Sequence, residues 1–153
     1  KMRFNYILVI LIFLLCGCGY QSIYKVDRGE FSIINFEING PDKITRSLTR
    51  NFKLLQNNKE ANKYYNLNAN SNITKSIKSK NSKGEIETYS LKVTVNLIIK
   101  MNKQIIQEKE FLEIISYNNL NNKFELKQYE DIIIKNQTIK IINKINFFLR
   151  SLK

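Results

Sequence analysis

The chain has 153 residues, two cysteines, no histidine, and 25 basic against 13 acidic residues, a formal net charge of +12. The absence of histidine excludes Ser-His-Asp and Cys-His nucleophilic catalysis and any histidine-ligated metal, and no HExxH, CxxC or GxxxxGK[ST] pattern occurs. The basic excess fits nucleic acid, an anionic lipid or an acidic partner, or only the Lys-, Asn- and Ile-rich coding of an AT-rich genome.

The first element is a leader. Lys1-Met2-Arg3 precedes an apolar run from Tyr6 to Leu15, and Cys16-Gly17-Cys18 follows. A charged start, a short apolar run and small residues before a cut site make a secretory signal. The run is about half of the ~20 residues that a membrane span needs. Leu15-Cys16-Gly17-Cys18 resembles the lipobox of bacterial lipoproteins, which implies cleavage before Cys18 and an N-acyl diacylglyceryl lipid, palmitate-type chains included, on that residue. An ordinary cleaved signal with a chance cysteine after it is the alternative. The expected organisation is a signal peptide over residues 1–17, a lipidated tether over 18–30 and one α+β domain over 31–153. Cys16 leaves with the signal, so the mature chain can form no internal disulfide. Its 23 basic residues still outnumber the 13 acidic ones. An exported chain meets anionic envelope components rather than nucleic acid.

Phe31 to Ile38 is β-rich and bounded by Gly29 and Gly40, which predicts the first strand. Gly40-Pro41-Asp42 starts a helix, with Ile44, Leu48, Phe52 and Leu55 on one face and Asn57-Asn58 at its end. Tyr65, Leu67 and Ala69 alternate with asparagines, which favours a strand over 61–70, with an extension as far as Ile77 left open. Asn81 to Gly84 is a turn. The clearest strand runs from Glu85 to Lys100, with Tyr89, Leu91, Val93, Val95, Leu97 and Ile99 on one face. Met101 to Gln104 is a tight hairpin link, and residues 105–116 make a fourth strand with Phe111, Ile115 and Tyr117 opposite Leu112 and Ile114. After the polar loop 118–122, a long helix runs from Lys123 to Leu152. Its stripe is Ile134, Thr138, Ile141, Ile145, Phe148 and Leu152, widened by Ile132, Ile133, Ile139 and Ile142. The order β-α-β-β-β-α predicts a two-layer α+β sandwich, two helices on one face of a roughly four-stranded sheet. The stripe should bury Val93 and Val95 beneath Ile141 and Ile145.

Carboxylates alone could supply acid and base. Glu108, Glu110 and Glu113 lie on the fourth strand, and Glu125, Glu130 and Asp131 on the last helix. Glu108 and Glu110 alternate with Lys109 as a solvated edge does, and Glu130 and Asp131 are expected to face water. No catalytic residue and no metal ligand is assigned. The run Thr74 to Gly84 carries Lys75, Lys78, Lys80 and Lys83 without an acid. With Ser76, Ser79 and Ser82 it suits phosphate oxygens, although a solvated hairpin tip reads the same way.

Cys18-Gly19-Tyr20, followed by Ile23-Tyr24, resembles the start of the LPS-assembly lipoprotein LptE family, and the size and element order are similar to that family's. The resemblance implies a non-enzymatic lipoprotein at the periplasmic side of the outer membrane, without a cofactor. It also implies a place inside an LptD-like β-barrel, with lipopolysaccharide as the ligand that passes through it. Lys75, Lys78, Lys80 and Lys83 are then the candidate phosphate-facing residues. Two alternatives stay open: another small envelope lipoprotein serving a different outer-membrane assembly complex, and a carboxylate-only hydrolase. A copurified partner separates the LptE-like reading from the first alternative, and a cleft with two converging carboxylates would favour the second.

Overall fold

In the computed structural model, residues 30–152 are described. The expected signal peptide, Cys18 and all of the tether but Glu30 lie outside them. The elements are β1 (Phe31–Asn39), α1 (Asp42–Leu54), β2 (Lys63–Lys80), β3 (Ile86–Met101), β4 (Gln104–Asn118) and α2 (Lys123–Ser151). The strands lie in the order β1-β2-β3-β4. β1 and β2 are parallel and joined through α1, and the other neighbours are antiparallel hairpin pairs. This is the expected α+β fold, and the sheet order is simply the chain order.

The junction after β1 depends on Gly40. Its φ is +131°, and a Cβ there would stand 2.2 Å from Ser71 Oγ and 2.4 Å from Ser71 O. Only glycine combines that backbone angle with so close an approach. Pro41 then occupies the N-cap position, just ahead of the expected first turn, and its carbonyl accepts from Ile44 N and Thr45 N, both at 3.0 Å. Ile44, Leu48, Phe52 and Leu55 are all buried. Asn57, with φ of 57°, turns the chain away from the helix.

β2 is the element the sequence pattern undersized. Its alternation of Tyr65, Leu67 and Ala69 fades after Asn70, yet the strand continues to Lys80. Residues 63–70 pair with β1, whereas 71–80 pair with β3 alone. The β2–β3 hairpin therefore projects past the end of β1 as a tongue. Asn102 and Lys103, with φ of 50° and 68°, form the two-residue link from β3 to β4, the left-handed pair that matches strand twist in tight hairpins.

Leu91, Val93, Val95, Leu97 and Ile99 are buried at period two, and with Phe111, Ile133, Ile141, Ile145 and Leu149 they form one core. Val93, Val95, Ile141 and Ile145 are all fully buried, as the layer arrangement requires. α2 is capped by Asn122, whose Oδ1 accepts from Phe124 N at 2.9 Å and Glu125 N at 3.3 Å. Its stripe needs one correction. Ile132 and Ile139 do not widen the buried face; they are 56% and 45% exposed. At 100° per residue they fall opposite Ile141 and Ile145, so α2 is apolar on two sides. Among the described residues, no helix is long and apolar enough to cross a membrane.

Candidate functional site

The four lysines of the tongue do not form one cluster. Lys75 shares the phase of Tyr65, Leu67, Ala69 and Ile73, so period two turns it toward α2. Its Nζ lies 2.5 Å from Glu130 Oε1 and 3.8 Å from the centre of the Tyr89 ring. Glu130 also accepts from the Tyr117 hydroxyl at 2.6 Å. The Tyr117 ring packs on Tyr89 and Tyr129, with centroids 5.8 and 5.9 Å away. Lys75 is thus built into a polar and aromatic node at the root of the tongue. Burial, then the hydrogen bond and negative charge of Glu130, push the Tyr117 hydroxyl pKa well above its ordinary value.

Lys78 donates to Ser116 Oγ at 2.8 Å, across the open face of the sheet. The register with β3 shifts between Ile77 and Ser79. Lys80 and Lys83 stand at the tip, where Asn81 organises the turn: its N–H donates to Glu85 O at 2.9 Å, and its Oδ1 accepts from Lys83 N and Glu85 N, both at 3.0 Å. Among the described residues, the amines of Lys80 and Lys83 have no hydrogen-bond or ion-pair partner. The cationic site available to an anion is therefore Lys80 and Lys83 at the tip, with Lys78 behind them.

The candidate carboxylates do not converge either. Glu130 does not face water: it turns inward to Lys75 and Tyr117. Asp131 pairs with Lys43 of α1, and Glu113 pairs with Lys144 of α2 at 2.5 Å. Each of these acids ties a helix to its neighbour. Glu108, Glu110 and Glu125 are exposed. Among the described residues, no group of three metal-ligating side chains comes together. In the sequence the node is hidden because the four lysines form one run without an acid. Their strand phase, with Lys75 odd and Lys78 and Lys80 even, was the available signal.

The fold is shared with solved bacterial proteins. The chain is similar to the rare lipoprotein B of Shewanella oneidensis, at 14% identity and a TM-score of 0.59, over 76% of this chain and 94% of that one. It is similar to a lipoprotein B of Nitrosomonas europaea, at 15% identity and a TM-score of 0.56, over 87% of this chain and 94% of that one. A minor lipoprotein of Acinetobacter baumannii matches at 18% identity and a TM-score of 0.52, over 76% and 90% of the two chains. At these identities the likeness concerns the fold alone. No protein-family model and no curated protein matches the sequence.

Proposed function

We propose that this chain is a lipid-anchored envelope protein, held through Cys18 at the periplasmic side of the outer membrane. Its work is non-catalytic: it serves as plug and assembly partner of an LptD-like β-barrel in lipopolysaccharide transport. One observation carries the reading. A lipobox and a Cys18-Gly19-Tyr20 start lead into a β-α-β-β-β-α domain whose fold recurs in proteins described as bacterial lipoproteins. The carboxylates tied into ion pairs fit a rigid scaffold, and the free amines of Lys80 and Lys83 fit a ligand that bears phosphates.

The first test is purification of the tagged chain from membranes with identification of what accompanies it. The expected companion is an LptD-like barrel. A different assembly complex would replace the barrel with another partner, and no companion would end the reading. A fatty-acid probe should label the wild type and not Cys18→Ser, and equal labelling would remove the anchor. For the ligand, Lys80→Glu with Lys83→Glu should weaken lipopolysaccharide binding, while Lys127→Glu with Lys135→Glu on α2 should not. Equal loss from both pairs would mean that only bulk charge matters.

A further inference from the structure

The two edges of the sheet are treated differently. The side of β1 away from β2 is closed by the segment after α1. Ile33 N donates to Leu55 O at 3.1 Å, Gln56 Nε2 donates to Ile34 O at 3.1 Å, and Asn58 Nδ2 donates to Phe31 O at 3.0 Å. β4, at the other edge, pairs only with β3. It offers a long open edge with no proline, and its stretch Phe111 to Tyr117 has Glu113 as its one charge, already held by Lys144. Natural sheets usually blunt such an edge or use it.

A cleft of about 760 Å³ lies along this edge, within the size range of ligand sites. Its strand wall is four consecutive residues, Lys109, Glu110, Phe111 and Leu112, and its helix wall includes Phe147 and Phe148. Consecutive strand residues point to opposite faces. A cleft touching all four therefore sits on the backbone edge itself, beside the helix. Phe147 is 76% exposed there. On the helix side, Lys109 Nζ stands 4.2 Å from the centre of the Phe148 ring and 5.6 Å from that of Phe111. It has no ion-pair partner among the described residues.

We infer that this cleft binds an extended peptide, which adds as a fifth strand to the free edge of β4. Strand addition beside a helix takes main-chain hydrogen bonds for affinity and pockets for alternate side chains for specificity. The helix-facing side presents Lys109 and, two residues on along β4, Phe111, with Phe148 of α2 beside both. The matching peptide carries a carboxylate and an apolar side chain two residues apart, an acid-x-apolar pattern. A second copy of this chain is the poorer occupant, because two chains of formal charge +12 repel. The inference goes beyond the envelope role and uses neither a barrel nor lipopolysaccharide.

The probe is a fluorescein-labelled ten-residue peptide of alternating threonine and valine in which two successive valines become Asp and Phe. Anisotropy with the purified full chain should show saturable binding, weakened at least tenfold by Lys109→Glu and at least fivefold by Phe147→Ala. A peptide with Lys in place of Asp should bind Lys109→Glu better than it binds the wild type. Hydrogen exchange at residues 109–113 should slow when the peptide binds. Thermal melts of both variants should match the wild type, since Phe147 and Lys109 lie at the surface. Absence of saturable binding overturns the inference, as does binding that neither variant changes. A concentration-dependent doubling of mass that the peptide cannot reverse would assign the edge to a second copy. Uptake of a fluorescent fatty acid without peptide binding would assign the cleft to lipid.

Discussion

Tyr117 concentrates several effects in one side chain. Its hydroxyl donates to Glu130 while Glu130 also holds Lys75, so ionising Tyr117 would put a second negative charge beside a carboxylate that is only 18% exposed. The folded state therefore binds this proton more tightly than the unfolded chain does, whose tyrosine titrates near 10.0. That stability is fully present below pH 10 and is lost as pH rises above it. Burial pushes Tyr65 in the same direction. Denaturant titration should show Tyr117→Phe losing less stability between pH 9 and 11 than the wild type, and parallel curves would remove Tyr117 from the alkaline transition. Gly40 is the other decisive single residue. Gly40→Ala combines a φ that L-residues rarely adopt with a clash on Ser71, so a loss of at least ~2 kcal/mol is expected. A melt unchanged from wild type would mean that the β1–α1 junction moves aside at little cost.

At the scale of elements, periodicity found every strand and helix, because each apolar face is long enough to repeat. β3 was the most legible, as its buried side chains never miss a turn from Leu91 to Ile99. β2 was the least. Beyond Asn70 it is held by pairing to β3, which a one-strand pattern does not reveal. α2 shows the same limit in another form. Counting isoleucines marked Ile132 and Ile139 as core, whereas the helical angle puts them outside. Paired truncations separate the two faces. Ile141→Ala empties a fully buried position and should cost ~2–5 kcal/mol. Ile139→Ala should stay within about 0.5 kcal/mol by the same denaturant measurement. Equal costs would show that the outer face of α2 is covered in solution. For the candidate site, the lysine run was visible in the sequence. Its division between a lysine paired with Glu130 and a free tip was not, since that depends on the helix that crosses Lys75.

Over the whole molecule, one sheet face carries both helices and one continuous core, while the charges are lopsided. Among the described residues, ion pairs set acids against bases at Lys43–Asp131, Arg46–Asp42, Lys75–Glu130 and Lys144–Glu113. Arg46–Asp42 is largely solvated, with side chains 80% and 84% exposed, and such a pair contributes ~0–1 kcal/mol. The pairs on Glu130 and Glu113 are better shielded, and salt reaches them less. The remaining cations, against a formal charge of +12, repel one another across the surface. Repulsion of this kind is long-ranged. It acts over a screening length of ~30 Å at 0.01 M salt and ~8 Å at 0.15 M. Added sodium chloride should therefore weaken the repulsion more than it weakens the shielded pairs. The melting temperature is expected to rise over that range, by ~2–8 °C if ~1 kcal/mol of repulsion is removed. Scanning calorimetry at the two salt concentrations measures it directly. A fall would mean that the helix-to-sheet ion pairs outweigh the net charge, and Lys75–Glu130 and Lys144–Glu113 would then be the first to test by double-mutant cycles.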